Sequence, residues 1–292
     1  MKEKLDARYY GTDYRLMLIY EFSKRKYLKK RNVNKNEPQR RFHIGIMAIW
    51  EKNMKRKYNM TREENIFVAR RNIVDYIWKS ANLEGLAVTF PETQAVYDGA
   101  GANLKVTDII TINNLKRAWH FVIDTIDADM DFRYVSQINK IIGGDNLIIN
   151  AGQVRKIDVK IGGTTWIPKL PDEEIVKTEF ENLLQTEDPY ERSINIMLYL
   201  MRGQLFLDGN KRTAMLCANQ VMIQNGLGII SVPLENQEKF KEKLVDFYET
   251  GNAEDITKYI DEYCIDGIDF QREAAIDDDE IRNTESDDDF EL

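Results

Sequence analysis

The 292-residue chain has only two cysteines, Cys217 and Cys264, and two histidines, His43 and His120. Two thiols cannot build the disulfide framework of a small secreted scaffold. Neither stands at metal-ligand spacing from another cysteine or a histidine, so both read as buried thiols. Also missing is any apolar run near the roughly 18 residues that cross a bilayer, and the first ten residues lack the apolar centre of a signal peptide. The expectation is a cytoplasmic protein with no membrane partner.

The length suits one large domain with appendages. The net charge of −8 conceals an uneven distribution. Residues 1–60 carry 17 basic and 6 acidic side chains, whereas residues 277–292 carry nine acids and one arginine. The basic head, with clusters at 24–31 and 40–41, reads either as a solvated helix face and loop or as a patch for nucleic acid or another partner. The acidic tail has too little apolar content to offset its ordering entropy and is expected to be disordered.

Apolar residues at helical spacing (Leu16, Ile19, Tyr20; Ile46, Ile49, Trp50) predict helices over 14–29 and 42–57, separated by a polar loop at 31–40. Thr61 followed by Glu64 is a capping-box pattern, opening a helix with Ile66, Val68, Ile73, Ile77 and Trp78 that ends near Gly85. Residues 97–106, with Gly99 and Gly101, read as a loop, and helices are expected over 111–124 and 131–142. Asp127, Asp129 and Asp131 imitate a calcium loop. Phe132 stands where a glycine must turn the chain, and Ile138 where a twelfth-position acid belongs, so calcium is excluded. Alternation around Gly162-Gly163, between Val159, Ile161 and Trp166, predicts a short hairpin, and Pro168 and Pro171 then lead into another helix. The fold class is mainly α with one short β-hairpin.

The chemistry concentrates between Tyr190 and Gly226. Ile194, Met197, Leu198 and Met201 form one apolar stripe, and Ala214, Cys217, Ala218, Val221 and Met222 form a second, which the Asn225-Gly226 turn closes. Between these two central helices lies Gln204-Leu205-Phe206-Leu207-Asp208-Gly209-Asn210-Lys211-Arg212. A helix opening on Gly209 and Asn210 presents unpaired backbone N–H groups and the positive end of its dipole to an anion. Lys211 and Arg212 add phosphate-matching cations. Asp208 suits a magnesium ion bridging a carboxylate and phosphates, and Phe206 should point inward to pin the loop. The same residues also fit an ordinary helix-entry turn with a solvated first turn.

This segment resembles the motif of the Fic/Doc family, His-x-Phe-x-Asp/Glu-Gly/Ala-Asn-Gly/Lys-Arg, at every specified position except the first, where Gln204 replaces histidine. Residues 159–167 resemble the family's β-hairpin flap, which aligns the target, with Gly162, Gly163 and Thr164 at its turn. Ser80-Ala81-Asn82-Leu83-Glu84-Gly85 matches its inhibitory pattern Ser/Thr-x-x-x-Glu-Gly/Asn. The resemblance implies a Fic-fold helical bundle over 71–270, between a basic helical region at 1–70 and the acidic tail at 271–292. It also implies an activity: transfer of part of ATP, most often AMP, to a hydroxyl side chain of a target protein. Asp208 would hold Mg2+, Gly209 and Asn210 would line the anion hole, and Phe206, Lys211 and Arg212 would complete the nucleotide site. The Doc branch carries lysine at the position of Lys211 and transfers phosphate, so the transferred group stays open.

Two departures bear on mechanism. Gln204 is an amide that cannot accept a proton near neutral pH, a loss typically worth about 10²–10⁴ in rate. Met215 replaces the arginine that ordinarily meets the inhibitory glutamate, so Glu84 would have to meet Lys211 or Arg212. The alternatives are therefore a weakened transferase, a catalytically silent regulator or decoy, and a nucleic-acid-binding protein working through its head.

Overall fold

A computed structural model of the chain describes residues 56–269. The expected helices at 14–29 and 42–57, nearly all of the basic head, and the acidic tail lie outside the described residues.

Thr61 forms the expected capping box. Its hydroxyl accepts from Glu64 N–H, and the Glu64 carboxylate accepts from Thr61 N–H at 2.6 Å, opening helix α1 (Arg62–Arg71). The single helix expected to run on to Gly85 is instead split at Asn72 (φ −104°, ψ 13°), and α2 spans Ile73–Leu83. The break lets α1 pack on the second of the two central helices while α2 turns its buried face to the fourth helix. A second capping box, Thr89 with Glu92, starts the short α3 (Phe90–Tyr97), which periodicity had not revealed. Helix α4 (Val106–Asp124) begins five residues before the expected start, and α5 (Phe132–Ile142) is capped by Asp131. Asp172 caps α6 (Glu173–Leu184), and Asp188 caps α7 (Pro189–Gly203), which carries proline in its first turn. After a short loop come α8 (Asn210–Gln224), β1 (Ile229–Ile230), α9 (Gln237–Thr250), α10 (Glu254–Tyr263) and β2 (Ile265–Asp266). β1 and β2 pair antiparallel.

α7 and α8 are the centre of the molecule and make their largest contact with each other; α8 also packs on α1, α4, α5 and β1. Ile194, Met197, Leu198 and Met201 on α7 are completely buried, as are Ala214, Cys217 and Ala218 on α8. At about 1.5–3 kcal/mol for each large side chain removed from water, this stripe alone holds the two helices rigidly together. Cys217 and Cys264 are buried free thiols, both pushed upward in pKa by that burial.

The mainly helical class is observed, but the expected hairpin at 159–167 is not a strand pair. The chain there has no regular structure beyond a turn at Gly162–Gly163, and the two strands among the described residues are β1 and β2. A two-stranded hairpin is marginal in isolation, and side chains anchor this segment instead. Thr164 Oγ1 donates to Glu249 on α9 at 2.6 Å, and Trp166 stacks on Tyr248 of the same helix.

Candidate functional site

The loop 204–209 joins the two central helices, so the core holds both of its ends. Gln204 caps α7 in the left-handed region (φ 44°, ψ 56°). Its Nε2 donates to the Met201 carbonyl at 2.6 Å, and its Oε1 accepts from Asn210 Nδ2 at 3.1 Å. Asn210 also donates to the Phe206 carbonyl and accepts from Phe206 N–H, both at 2.9 Å, so one amide side chain ties the loop closed. Phe206 points inward as expected, 2% exposed and stacked on Phe132.

The start of α8 receives no side-chain cap: Gly209, at φ 75°, is its N-cap residue. Gly209 N–H is taken by Asp208 Oδ1 at 2.6 Å, but the first-turn amides that follow have no acceptor within the helix. A Cβ on Gly209 would come within 3.1–3.2 Å of Ile148, Asn139 and Ile142, so the turn needs glycine for both space and conformation.

Asp208, Lys211 and Arg212 differ sharply in exposure. The Asp208 side chain is 65% exposed, 3.6 Å from the Arg212 guanidinium, while Arg212 itself is only 7% exposed. Arg212 Nε is buried with no hydrogen-bond partner. The Lys211 ammonium lies 3.4 Å from Glu84 Oε2, and the other Glu84 oxygen is buried and unpartnered. Of the two cations open to Glu84, the ion pair is with Lys211; Met215 is buried.

Glu84 is the C-cap residue of α2. Gly85 follows it at φ 89°, with Gly85 N–H bonded to the Asn82 carbonyl and Leu86 N–H to the Ala81 carbonyl. This is a Schellman turn, and it stops the helix so that Glu84 stands over the start of α8. Ser80, one turn earlier, is buried, and its carbonyl accepts from Glu84 N–H at 3.4 Å.

Sequence reasoning missed four residues that build this site. Asn139 on α5 donates to the Asp208 carbonyl and to Thr213 Oγ1, each at 3.0 Å, and accepts from Gly152 N–H. Arg155, 2% exposed, donates to the carbonyls of Gln204, Ile157, Pro168 and Lys169, binding the motif loop to both stems of the flap segment. Arg202 lies over the Trp166 ring at 4.8 Å and donates to the Phe247 and Tyr248 carbonyls. Tyr248 stacks on Trp166 at 5.8 Å between ring centres. Burial, and then the Glu84 carboxylate, push its phenol far above the ordinary range. No periodic signal marks any of the four: Asn139, Arg155 and Tyr248 are far along the chain from the loop, and Arg202, two residues before it, has its partners on α9.

His120 lies away from this cluster, against Tyr97, and His43 lies outside the described residues. Among the described residues no group of three His, Cys, Asp or Glu side chains could hold a metal ion, the Asp127–Asp131 run included. No helix among them is long and apolar enough to cross a membrane.

Residues 129–222 match the Fic/DOC family model, a span that includes the flap segment and the whole loop but not Glu84. The protein adenylyltransferase Fic of Culex quinquefasciatus is 23% identical over 198 residues, covering 64% of this chain. The match spans only 38% of that relative's length. Among solved structures, Fic-1 (residues 134–508) from C. elegans superposes with a TM-score of 0.58 at 17% identity, over 87% of this chain and 74% of that one. A Fic domain containing signaling protein from Bacteroides thetaiotaomicron gives 0.57 at 15% identity, over 77% and 90%. At these identities the structural likeness speaks for the fold alone, and the match to the Fic/DOC family model extends over residues 129–222.

Proposed function

We propose that the loop at 204–212 binds the phosphates of ATP together with Mg2+, and that the chain transfers AMP to a hydroxyl side chain of a target protein, slowly because Gln204 is no base. The observation that carries this reading is Arg212: a buried guanidinium with an unpartnered Nε, beside the uncapped start of α8. A phosphate oxygen there would supply the acceptor that Arg212 lacks and meet the first-turn amides. The donor set also fits magnesium. Asp208 offers one largely exposed carboxylate, and such an ion ordinarily takes its remaining ligands from phosphate oxygens and water. When bound, the metal would neutralise charge on the phosphates.

The chain's own residues then divide the work. Backbone amides of Asn210 to Arg212 and the Arg212 side chain orient the phosphates, with the Gly209 turn opening the helix towards them and Phe206 pinning the loop beneath. Gln204 and Asn210 hold the loop shape, and the flap residues Gly162, Gly163 and Thr164 align the target. Rate would come from positioning and charge stabilisation without general-base help. Glu84, held by Ser80 and Gly85 over Lys211, obstructs the outer phosphate position until it moves. The name borne by the Culex relative, protein adenylyltransferase, favours AMP; lysine at 211 keeps Doc-like phosphate transfer as the variant to test against.

A second reading, a catalytically silent regulator that binds nucleotide or a partner, is favoured by one fact: both polar atoms of the Gln204 side chain are already bonded, to the Met201 carbonyl on α7 and to Asn210 at the start of α8. Labelling of cell extract with α- and γ-labelled ATP, using the natural protein and Gln204→His, separates the readings. Label from the α position with the natural protein supports AMP transfer, and label from the γ position alone supports phosphate transfer. Labelling by Gln204→His alone would establish the silent reading and end the transferase one.

A further inference from the structure

Behind the motif loop, a cleft of about 220 Å³ opens between the stretch that follows the flap, helix α6 and the end of α7. Its wall is mostly apolar, built from Trp166, Leu170, Ile175, Val176 and Leu205. Leu170 and Ile175 are 52% and 49% exposed at its mouth, and Ile167, between flap and cleft, is 60% exposed. Three large apolar side chains left in water within nine residues form a patch that wants a partner.

The polar groups lining the cleft are already engaged. Asp172 spends its carboxylate on the N–H groups of Glu174 and Ile175, and Glu179 accepts from the Tyr199 hydroxyl at 2.9 Å. Arg202 donates to two backbone carbonyls and lies on the Trp166 ring, which also stacks on Tyr248 at 5.8 Å. With Lys169 and Arg202 balancing Asp172 and Glu179, no net charge calls for a charged ligand. The Trp166 wall is held in place from behind, so the cleft is preformed.

We infer that this cleft takes one large uncharged side chain, the size of leucine or phenylalanine, from the protein segment that lies along the flap. The inference rests on the protein-modifying reading above and adds a specificity pocket to it. A polypeptide is the occupant, rather than a free small molecule, because the neighbouring flap offers it an edge. The backbone groups of Asp158, Val159 and Lys160 have no hydrogen-bond partner among the described residues, and a row of unpaired N–H and C=O groups is what an added strand binds. Gly203 and Leu205, on either side of Gln204, also line the cleft. A side chain anchored there sets the register of its segment against the loop.

The test uses the full chain carrying indole-nitrogen-labelled tryptophan, with the Trp166 signal assigned by Trp166→Phe. The probes are N-acetyl-phenylalaninamide, N-acetyl-lysinamide, the blocked pentapeptide Ser-Thr-Phe-Thr-Ser, and its lysine counterpart. Both phenylalanine probes should shift the Trp166 signal saturably and the lysine probes should not. The pentapeptide should bind at least about tenfold tighter than the single-residue amide, because its main chain adds the flap contacts. Ile175→Glu, at the exposed rim, should weaken the phenylalanine peptide about tenfold by charging the mouth. Val176→Phe, which fills the wall, should abolish the shift. No shift with phenylalanine, or an equal shift with lysine, overturns the pocket; equal affinity of amide and peptide overturns the polypeptide occupant. Calorimetry with Mg-ATP on the same samples reports on the nucleotide site separately. Loss of ATP binding with peptide binding intact would count against the proposed function and leave the cleft standing.

Discussion

In the motif loop, the polar groups of Gln204, Phe206, Asp208 and Asn210 are bonded to one another or to buried Asn139 and Arg155. In the flap, the run 158–160 has no backbone partner, and a Cβ on Gly162 would meet nothing within 4 Å. The loop is thus preset by the core, whereas the flap is held by side-chain anchors at its ends and leaves the backbone of 158–160 unpaired. A site that must present phosphate donors at set positions needs the first kind of support; a surface that must accept varied segments suits the second.

The contrast predicts graded effects. Arg155→Met, which takes the donor from four carbonyls at once, should cost about 3 kcal/mol or more in a denaturation experiment. It is also the change that should loosen loop and flap together. Gly209→Ala, forced to φ 75° against three close neighbours, should cost about 2 kcal/mol by the same measurement. Asp208→Ala should leave stability alone but weaken magnesium-dependent ATP binding about tenfold or more by calorimetry; unchanged affinity would refute the metal role. Glu84→Gly should raise ATP affinity about fivefold by removing the partner of Lys211, and no change would mean that Glu84 obstructs nothing. Gly162→Ala, in open space, should move stability by less than about 0.5 kcal/mol. An equal penalty at Gly162 and Gly209 would erase the distinction between the two regions.

Much of the loop is legible in the sequence because its two flanking helices carry unbroken apolar stripes, and a short link between two buried helices has little freedom. Asp208, Gly209 and Asn210 announce a helix start by residue type alone, and the limited choice of partners for Glu84 follows from Met215. The turn at Gly162–Gly163 is likewise readable, but not the lack of pairing beside it, since alternation records which faces are buried and not whether a ladder forms. Helix α3 is too short for periodicity, the strands have two residues each, and the break at Asn72 depends on where the second helix must pack. Asn139, Arg155 and Arg202 were out of reach for a different reason: their partners in the motif segment and in α9 lie 45 to 74 residues away along the chain, and nothing local distinguishes a buried arginine from a solvated one.

The backbone of residue 204 already sits in the left-handed region, where histidine, along with Asn and Asp, is more at home than most side chains. That twist falls at the end of one central helix, where Arg155 grips the residue-204 carbonyl and the Gln204 amide adds bonds to the Met201 carbonyl and to Asn210. An imidazole there suits the backbone but must do without those two side-chain bonds. A labelling result with Gln204→His is therefore charged to proton chemistry only where the substituted protein keeps the stability of the natural one.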